Sequence, residues 1–496
     1  NSSSGLGGTR TFIGEDASVD GNNISLDASE YVRVNSLIGG AAAGGTAAIG
    51  GAVGIVTLAG GTYAYIEKGA EITAAGDLTV SADADEITDV YAVGGAIGGF
   101  VGLGAQVAIV NDSSEQLALI GVTESDGTFG ASSTLDGADA NSRLVINAAD
   151  NVKVAAEVTR DHKVRGAGIQ VGAVAAGAAI GTINVDGKTQ AAVANFTKVG
   201  LDTDGNNTVG SLEVSATSVD TLTANMFAVA AGIGAGVGQG ATITYISDTT
   251  AHIAADAELE LRGAVIVTAQ ATPSFTTQMF GVAAGGLAVA ASVAEINYMP
   301  WVKATVGDVA IDAGSLQVDA RVNKLSGDDN NFTGEATGSA GALVGITATQ
   351  TDLYIGDEST VADSRQMIVR AGVDSDSAIV IDDAIAVGSN VKFTADIDSS
   401  AYAGGIVAGG AAISRARAQY RSEAYLGGTG SVTAGSLAVG ASSDPKLVVR
   451  ATAGSGGVLA GAGLETKTGI DSSVVARVGS VPTSNTDATL LSLIHI

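Results

Sequence analysis

Hydrophobic and polar positions repeat in a fixed order along the chain, most clearly over residues 78–121. An alternating segment comes first, in which Leu78, Val80 and Ala82 are apolar and the residues between them are polar. Alternation with a period of two is typical of a half-buried β-strand. An uncharged Gly/Ala run follows over 92–110, and a second apolar segment closes the unit. A fixed-order repeat of this length predicts an array or solenoid.

The alternating segment recurs at intervals of 51 to 70 residues, and we predict that each occurrence opens one repeat unit. Gly, Ser or Asn commonly precedes it, as expected for a turn that leads into a strand. The predicted openers are Ile24, Leu78, Leu144, Leu212, Val265, Leu316, Met367 and Leu437. Because such units bury their apolar faces against their neighbours, we expect one continuous array over residues 1–489. With two to three coils per unit, the array would be a rod on the order of 100 Å long.

Gly/Ala runs inside the units have little polar alternation, so we expect both of their faces to be buried. Helix is the competing interpretation. The six glycines within 92–109 would cost a helix about 6 kcal/mol relative to alanine. Glycine also weakens strands, so the flanking β-branched residues and the short, turn-bounded lengths decide in favour of strands. Membrane insertion is not expected, because spanning helices are usually richer in Leu, Ile and Phe.

The predicted fold class is therefore all-β, an elongated parallel β-helix (β-solenoid) of about eight Gly/Ala-rich repeats. A string of β-sandwich modules is the alternative. Residues 490–496 depart from the style of the repeats and resemble sequencing-adapter read-through, so we interpret them as a non-native tail. The chain begins at Asn1 without a signal-peptide pattern, and we interpret it as a fragment of a longer protein.

Composition narrows the function classes. The 52 acidic and 24 basic residues give a formal net charge of -28, which repels nucleic acid. The chain contains no cysteine, so disulfides, thiolate nucleophiles and Cys-ligated metals are excluded. We find neither a GxSxG nucleophile elbow nor a GxxxxGK[ST] phosphate loop. The sequence therefore predicts a protein that is not an enzyme.

One histidine stands in a local cluster of charges. His162 lies beside Asp161 and Lys163 and could act as a general base with a carboxylate partner. Since no second histidine lies near it in the sequence, we expect His162 to occupy a solvated loop.

Calcium is the one cofactor that the sequence suggests. Asp202, Asp204 and Asn206 place two carboxylates and an amide oxygen around a turn glycine, as hard cations require. Residues 328–331 form a second oxygen-rich turn. Neither turn has the complete 12-residue EF-hand loop, so a solvated acidic turn without metal is the competing interpretation.

A resemblance to a known family rests on the phrases at 64–66, 352–357 and 424–427, which lead through Gly/Ala turns into LxVxA-like strands. These phrases resemble the repeats of very large secreted bacterial adhesins of the filamentous haemagglutinin-like and autotransporter types, including leukotoxin-like filamentous adhesins. The resemblance covers nearly all of residues 1–489 and rests on repeat style. It implies a right-handed parallel β-helix that is secreted across a Gram-negative outer membrane and displayed as a stiff stalk.

The predicted function is thus a structural and adhesive stalk on the extracellular or cell surface. Its partners would be glycans or proteins of host or neighbouring cells, or biofilm matrix, bound through polar loops or the acidic face. Neither nucleic acid nor membrane is an expected partner. The alternative function is a carbohydrate-active β-helix enzyme of the polysaccharide lyase or hydrolase kind, which is supported by fold analogy alone.

Overall fold

The computed structural model describes residues 8–125, 128–129, 143–200, 208–323, 331–356 and 366–479. Every regular element in these ranges is a β-strand. Twenty-six strands form one hydrogen-bonded network of parallel pairs, and two further short strands form an antiparallel hairpin. The prediction of an all-β, solenoid-like fold built from parallel strands is confirmed, as is the preference for strand over helix in the Gly/Ala runs. Within the described ranges, no helix has the length and hydrophobicity needed to cross a membrane.

The strands wind through successive coils, and each coil pairs with the one before it and the one after it. In chain order they are β1 (Thr9–Ile13), β2 (Ser18–Gly21), β3 (Ile24–Gly44), β4 (Ala47–Leu58), β5 (Gly61–Glu67), β6 (Glu71–Ala74), β7 (Leu78–Gly98), β8 (Val101–Asp112), β9 (Glu115–Val122), β10 (Glu124–Ser125), β11 (Thr128–Phe129), β12 (Val145–Val171), β13 (Val174–Val185), β14 (Lys188–Val193), β15 (Lys198–Val199), β16 (Val209–Tyr245), β17 (Asp248–Ile253), β18 (Glu258–Glu260), β19 (Ala264–Tyr298), β20 (Trp301–Val306), β21 (Ala310–Ala313), β22 (Ser315–Val322), β23 (Phe332–Ile355), β24 (Met367–Asp374), β25 (Ile379–Gly404), β26 (Val407–Gly427), β27 (Val432–Gly456) and β28 (Leu459–Val478).

Residues at equivalent positions of successive coils form rows parallel to the solenoid axis. The row that contains the first strand openers is Ile24, Leu78, Val152, Leu212, Val265, Leu316, Ile385 and Leu437. Two predicted openers lie outside it. Leu144 precedes Val145, which pairs with Glu71 of β6, and Met367 pairs with Tyr420. Leu144 directly precedes β12, and a register shift between Ile146 and Ala148 separates this start from Val152. Met367 begins the short strand β24, whose alternating apolar pattern resembles that of an opener.

Each interval between neighbouring members of this row is one coil. The expected two to three coils per unit, and the rod of about 100 Å derived from them, are therefore wrong. At about 4.8 Å per coil the row spans roughly 35 Å along the axis. The coils are large in circumference, and the body is correspondingly short and broad. The predicted tail at 490–496 lies outside the described residues.

Alternation along the strands fills the interior of each coil. Leu78, Val80 and Ala82 are buried, and their equivalents in neighbouring coils continue the same hydrophobic core. In the later coils the core contains a column of buried aromatic rings, with successive centroids 5.1–6.1 Å apart. The column consists of Tyr245, Phe275, Tyr298, Phe332, Phe393 and Tyr420.

The Gly/Ala runs form a thin two-layered projection from the coils, which we call the fin. It comprises residues 38–52, 92–106, 166–179, 226–239, 279–292, 336–349, 399–412 and 451–464. Glycine is required where its layers nearly touch. A Cβ atom on Gly40 would lie 2.0 Å from the carbonyl oxygen of Gly51, and one on Gly94 would lie 2.3 Å from Gln106 Nε2.

The two faces of each fin strand have different environments. In β4, buried and exposed residues alternate along almost the whole strand. The inward face packs against the opposite layer, and the outward face contacts solvent. The expectation that both faces of the Gly/Ala runs are buried is therefore wrong. Small residues are needed because the fin is thin, and they do not indicate burial on both sides.

Val214→Asp tests this assignment of faces. Val214 is fully buried between Val154 and Val267 of the adjacent coils. An unpaired carboxylate there should lower the free energy of unfolding by at least about 3 kcal/mol. Glu213→Gln, one residue away on the outward face, is the control and should change it by less than about 0.5 kcal/mol. Thermal and urea unfolding measure both values, and equal losses would contradict the assignment.

Candidate functional site

A row of charged side chains lies inside the solenoid, where the core is otherwise apolar. Glu86 of β7, Arg160 of β12 and Asp220 of β16 occupy equivalent positions in three successive coils. All three are buried, and Arg160 has no exposed surface. They lie inside because each is an even number of residues from an inward-facing position of its strand, such as Val80 in β7. The backbone alternation therefore places this charge in the core.

Arg160 is the centre of the cluster. Its Nε donates to Asp112 Oδ2 at 2.6 Å and lies 3.3 Å from Glu86 Oε2. Its other nitrogens donate to Asp220 Oδ1 at 3.1 Å and to Ser114 Oγ and Gln116 Oε1, both at 3.3 Å. The guanidinium group thus bonds side chains from both adjacent coils, including Ser114 in the turn between β8 and β9. Hydrogen bonds of this kind offset the high cost of burying a charge.

His162 lies two residues from Arg160 on the same inward face. Its Nε2 is 3.1 Å from Asp112 Oδ2, and its Nδ1 is 3.1 Å from Thr88 Oγ1. Because an ionised carboxylate can only accept, Nε2 carries the proton, and in the neutral ring Nδ1 accepts from the Thr88 hydroxyl. His162 is completely buried, so the expectation of a solvated loop is wrong.

Asp220 connects the charged cluster to the aromatic column. The Tyr245 hydroxyl donates to Asp220 Oδ2 at 2.8 Å, and the Tyr245 ring packs against Phe275 and Tyr298. Burial and the nearby Asp220 carboxylate raise the pKa of Tyr245 far above its usual value. At neutral pH, Tyr245 is therefore protonated and donates its hydrogen bond to Asp220.

Burial sets the protonation of the carboxyl groups around Arg160. It raises the pKa of Glu86 to about 8, together with the Asp112 carboxylate and against the opposing effect of Arg160. Burial would also raise the pKa of Asp112, but Arg160 and His162 hold it well below its usual value. At neutral pH, Asp112 is thus the ionised partner of Arg160, and Glu86 is mostly protonated.

The cluster contains groups that catalyse reactions in other settings. A His–Asp pair, a carboxyl group with a raised pKa and a guanidinium group could transfer protons or stabilise an anion. Here, however, Arg160, His162 and Asp112 are at most 1% exposed, so a substrate cannot reach them in this conformation.

Glu86, Asp112 and His162 are also the residues that could hold a metal ion, since one ligand atom from each lies within 4.8 Å of the others. A cation there would have to share Asp112 with the Arg160 guanidinium, which repels it. The geometry fits an internal ion-pair network better than a metal site.

Most of the calcium ligands predicted from the sequence cannot be placed. Asp202, Asp204 and Asn206 lie outside the described residues. Of the second oxygen-rich turn, only Asn331 is described. Its Nδ2 donates to Pro273 O at 2.9 Å and to Asn323 Oδ1 at 2.8 Å, and its Oδ1 accepts from the Thr394 N–H. The Asn331 side chain therefore bridges neighbouring chain segments.

Sequence reasoning noticed His162 and missed the cluster around it. The sequence contained a signal for part of it. Glu86 and Thr88 occupy the same alternate positions as the inward-facing Val80, Ala82 and Val90 of β7. Arg160 and His162 likewise continue the alternation of buried residues that runs from Val152 to Val158 in β12. Asp112 carries the same signal, because it continues the buried alternation of Ala108 and Val110 at the end of β8, whereas Ser114 lies in the turn that follows.

One surface groove of about 460 Å³ lies on the outward face at the base of the fin. The stacked rings of Phe227 and Phe280, 5.7 Å apart, form part of its wall. The neighbouring row supplies polar side chains, namely Arg165, Asn225, Gln278 and Glu335. An apolar wall beside a polar row is typical of surfaces that bind amphipathic ligands.

Comparison of the chain with protein-family models, with curated proteins and with solved structures gives no match.

Glu86→Gln tests the pKa assignment. Between its usual value of 4.5 and about 8, folded Glu86 keeps a proton that the unfolded chain has released. The free energy of unfolding should therefore fall as pH rises through this window, by up to about 1.4 kcal/mol per pH unit. Burial lowers the pKa of His252 to about 4, so this residue makes the free energy of unfolding rise with pH below pH 6.5. The two chains should therefore be compared between pH 6.5 and 8. Urea unfolding should show this slope in the parent chain and a flatter one in the variant; identical slopes would refute the shift.

Arg160→Met tests the ion-pair network. Removal of the guanidinium leaves Asp112 and Asp220 buried without their cation, which should lower the free energy of unfolding by about 3–5 kcal/mol. Arg165→Met is the matched control on the same strand, because Arg165 faces outward and pairs with Asp89 at the surface. The control should lose less than about 1 kcal/mol. Chemical denaturation compares the two, and similar losses would show that the network does not stabilise the fold.

Proposed function

We propose that this chain is a structural stalk segment of a secreted or cell-surface protein and that it has no catalytic role. The observation that carries the proposal is the long stretches of matched register between coils. Pairing continues without a shift, for example, over the whole run from Phe275↔Phe332 to Gly285↔Ala342 and again from Leu287↔Val344 to Tyr298↔Ile355. Each coil is held by its neighbours along most of its length, which favours a stiff body.

The alternative of a carbohydrate-active enzyme requires carboxylates and bases from adjacent coils in an open groove. The cluster around Arg160 combines these groups and adds a histidine, but it is enclosed by the core. Its position supports a stabilising role. The stalk proposal therefore accounts for the cluster, whereas the enzyme proposal would require the solenoid to open.

The proposal also includes the localisation of the protein and its binding partners. The repeat style resembles that of Gram-negative surface adhesins, and the net charge of -28 favours solubility of a large particle. We propose that glycans or proteins of other cells bind to surface features of the stalk. The groove beside Phe227 and Phe280 is the described feature that best suits an amphipathic ligand such as a sugar chain.

Distances between coils test the stalk. Ser25, Gln317 and Ala438 lie on one outward row, and the chain has no native cysteine, so dyes can be attached at introduced cysteines. Ser25→Cys with Gln317→Cys spans five coil steps, about 24 Å, and Ser25→Cys with Ala438→Cys spans seven, about 34 Å. Single-molecule energy transfer should give two narrow distributions in this ratio, unchanged between low and high salt.

Broad or salt-dependent distributions would contradict a rigid stalk. The same measurement with added calcium or with a chelator covers the predicted ligands Asp202 and Asp204. A change in either distribution on chelation would support calcium binding. Hydrolase and lyase assays on neutral and acidic polysaccharides should show no turnover, and turnover would contradict the non-catalytic assignment.

A further inference from the structure

The fin has no charged residue in any of its eight segments, although the whole chain carries a net charge of -28. Exposed apolar side chains are concentrated there, including Ile49, Ile97, Phe100, Ile233 and Leu343. Exposed apolar surfaces of this extent usually mark an interaction site. The fin is therefore a neutral, apolar strip on a strongly acidic body.

The apex of the fin is a single row of residues, one from each coil. In each coil the fin consists of two strand segments that meet at the apex. The first residues of the second segments, such as Ala47, Val101 and Val174, pair from coil to coil, so the residues directly before them also form a row. In axial order this row is Thr46, Phe100, Ala173, Ile233, Gly286, Leu343, Ile406 and Val458. Phe100, Ile233 and Leu343 are 66%, 75% and 61% exposed.

Small and large residues alternate strictly over the first six positions of the row. Thr46, Ala173 and Gly286 are small, and the large residues Phe100, Ile233 and Leu343 lie between them. A two-fold axis perpendicular to the solenoid, between the coils of Ala173 and Ile233, would place each large residue opposite a small one. Ile233 would face Ala173 of the second copy, Phe100 would face Gly286, and Leu343 would face Thr46. We infer that the fin is a self-complementary interface through which two copies of this chain pair side by side and antiparallel.

Charge favours a second copy as the occupant. Two bodies of net charge -28 repel each other except where they meet through uncharged surface, and the fin provides that surface without desolvation of any ion. A lipid surface suits the fin less well. Cell membranes are anionic and repel the body, and the fin carries no Lys or Arg to bind headgroups.

The size of the strip sets the strength of pairing. Six coils extend over roughly 25 Å, and the fin is only two strand layers thick. Contact along this strip alone therefore buries less area than the roughly 1,600 Å² of a standard specific interface. Pairing should be reversible, should increase with protein concentration, and should strengthen at high salt because salt screens the repulsion between the bodies. The stalk proposal does not depend on it, since a stalk segment can act without a second copy.

Sedimentation velocity over a concentration series, at low and high salt, tests the pairing in the full chain. The parent chain should shift from monomer to dimer as concentration rises. Ile233→Lys should weaken the dimer by at least about tenfold, because the lysine would be buried against Ala173. Unfolding midpoints should stay unchanged, since the apex side chains contact solvent. A chain that remains monomeric at every concentration and salt would overturn the proposal.

Two further variants distinguish pairing that depends on matched side-chain sizes from nonspecific hydrophobic association. Ala173→Phe adds apolar surface but fills the space that Ile233 would occupy, so it should also weaken the dimer at least about tenfold. A stronger dimer in this variant would overturn the antiparallel geometry. Val458→Lys is the matched control, because Val458 is 82% exposed on the same row but lies beyond the six paired positions. It should leave the dimer intact, and an effect equal to that of Ile233→Lys would also overturn the geometry.

Discussion

Parallel hydrogen bonding between coils is the constraint on which the rest of the structure depends. Once two coils pair in register, every side chain lies about 4.8 Å from its equivalent in the next coil. The side chains that fit at a position therefore depend on the equivalent residues of the two adjacent coils as much as on the neighbours in sequence. The aromatic column and the small-to-large alternation of the fin apex are both consequences of this stacking.

The charged row shows how the same constraint acts on ions. Arg160 lies between Glu86 and Asp220, one from each adjacent coil, so the buried guanidinium has an acidic group on both sides. Asp112 at the end of β8 and Ser114 in the turn that follows accept further hydrogen bonds from it. An isolated arginine would be prohibitively costly at this depth. In its row it instead ties three coils together in one register.

Much of the fold follows from the sequence, and the limits have physical causes. Alternation around Leu78 and the lengths of the Gly/Ala runs predict strands, and parallel strands are what the structure contains. Coil size could not be derived in this way, because alternation has a period of two and says nothing about how many strands complete one turn. The position of Val152 was missed because Leu144 begins an apolar pattern directly before β12, and the register shift that separates it from Val152 leaves no mark in the sequence. The buried cluster depends on contacts between residues up to 74 positions apart, such as Thr88 and His162, which only register can identify.

The charged row also bears on how such a chain could lengthen or shorten during evolution. Coils related by the aromatic column present similar surfaces to each other, since a ring can stack on a ring in either neighbour. Duplication or loss of one of them would preserve an apolar contact. The coil that carries Arg160 is different, because it needs an acid from the coil on each side. Those three coils must therefore stay adjacent and in the same order, because a recombination event among them would leave a buried charge unpaired.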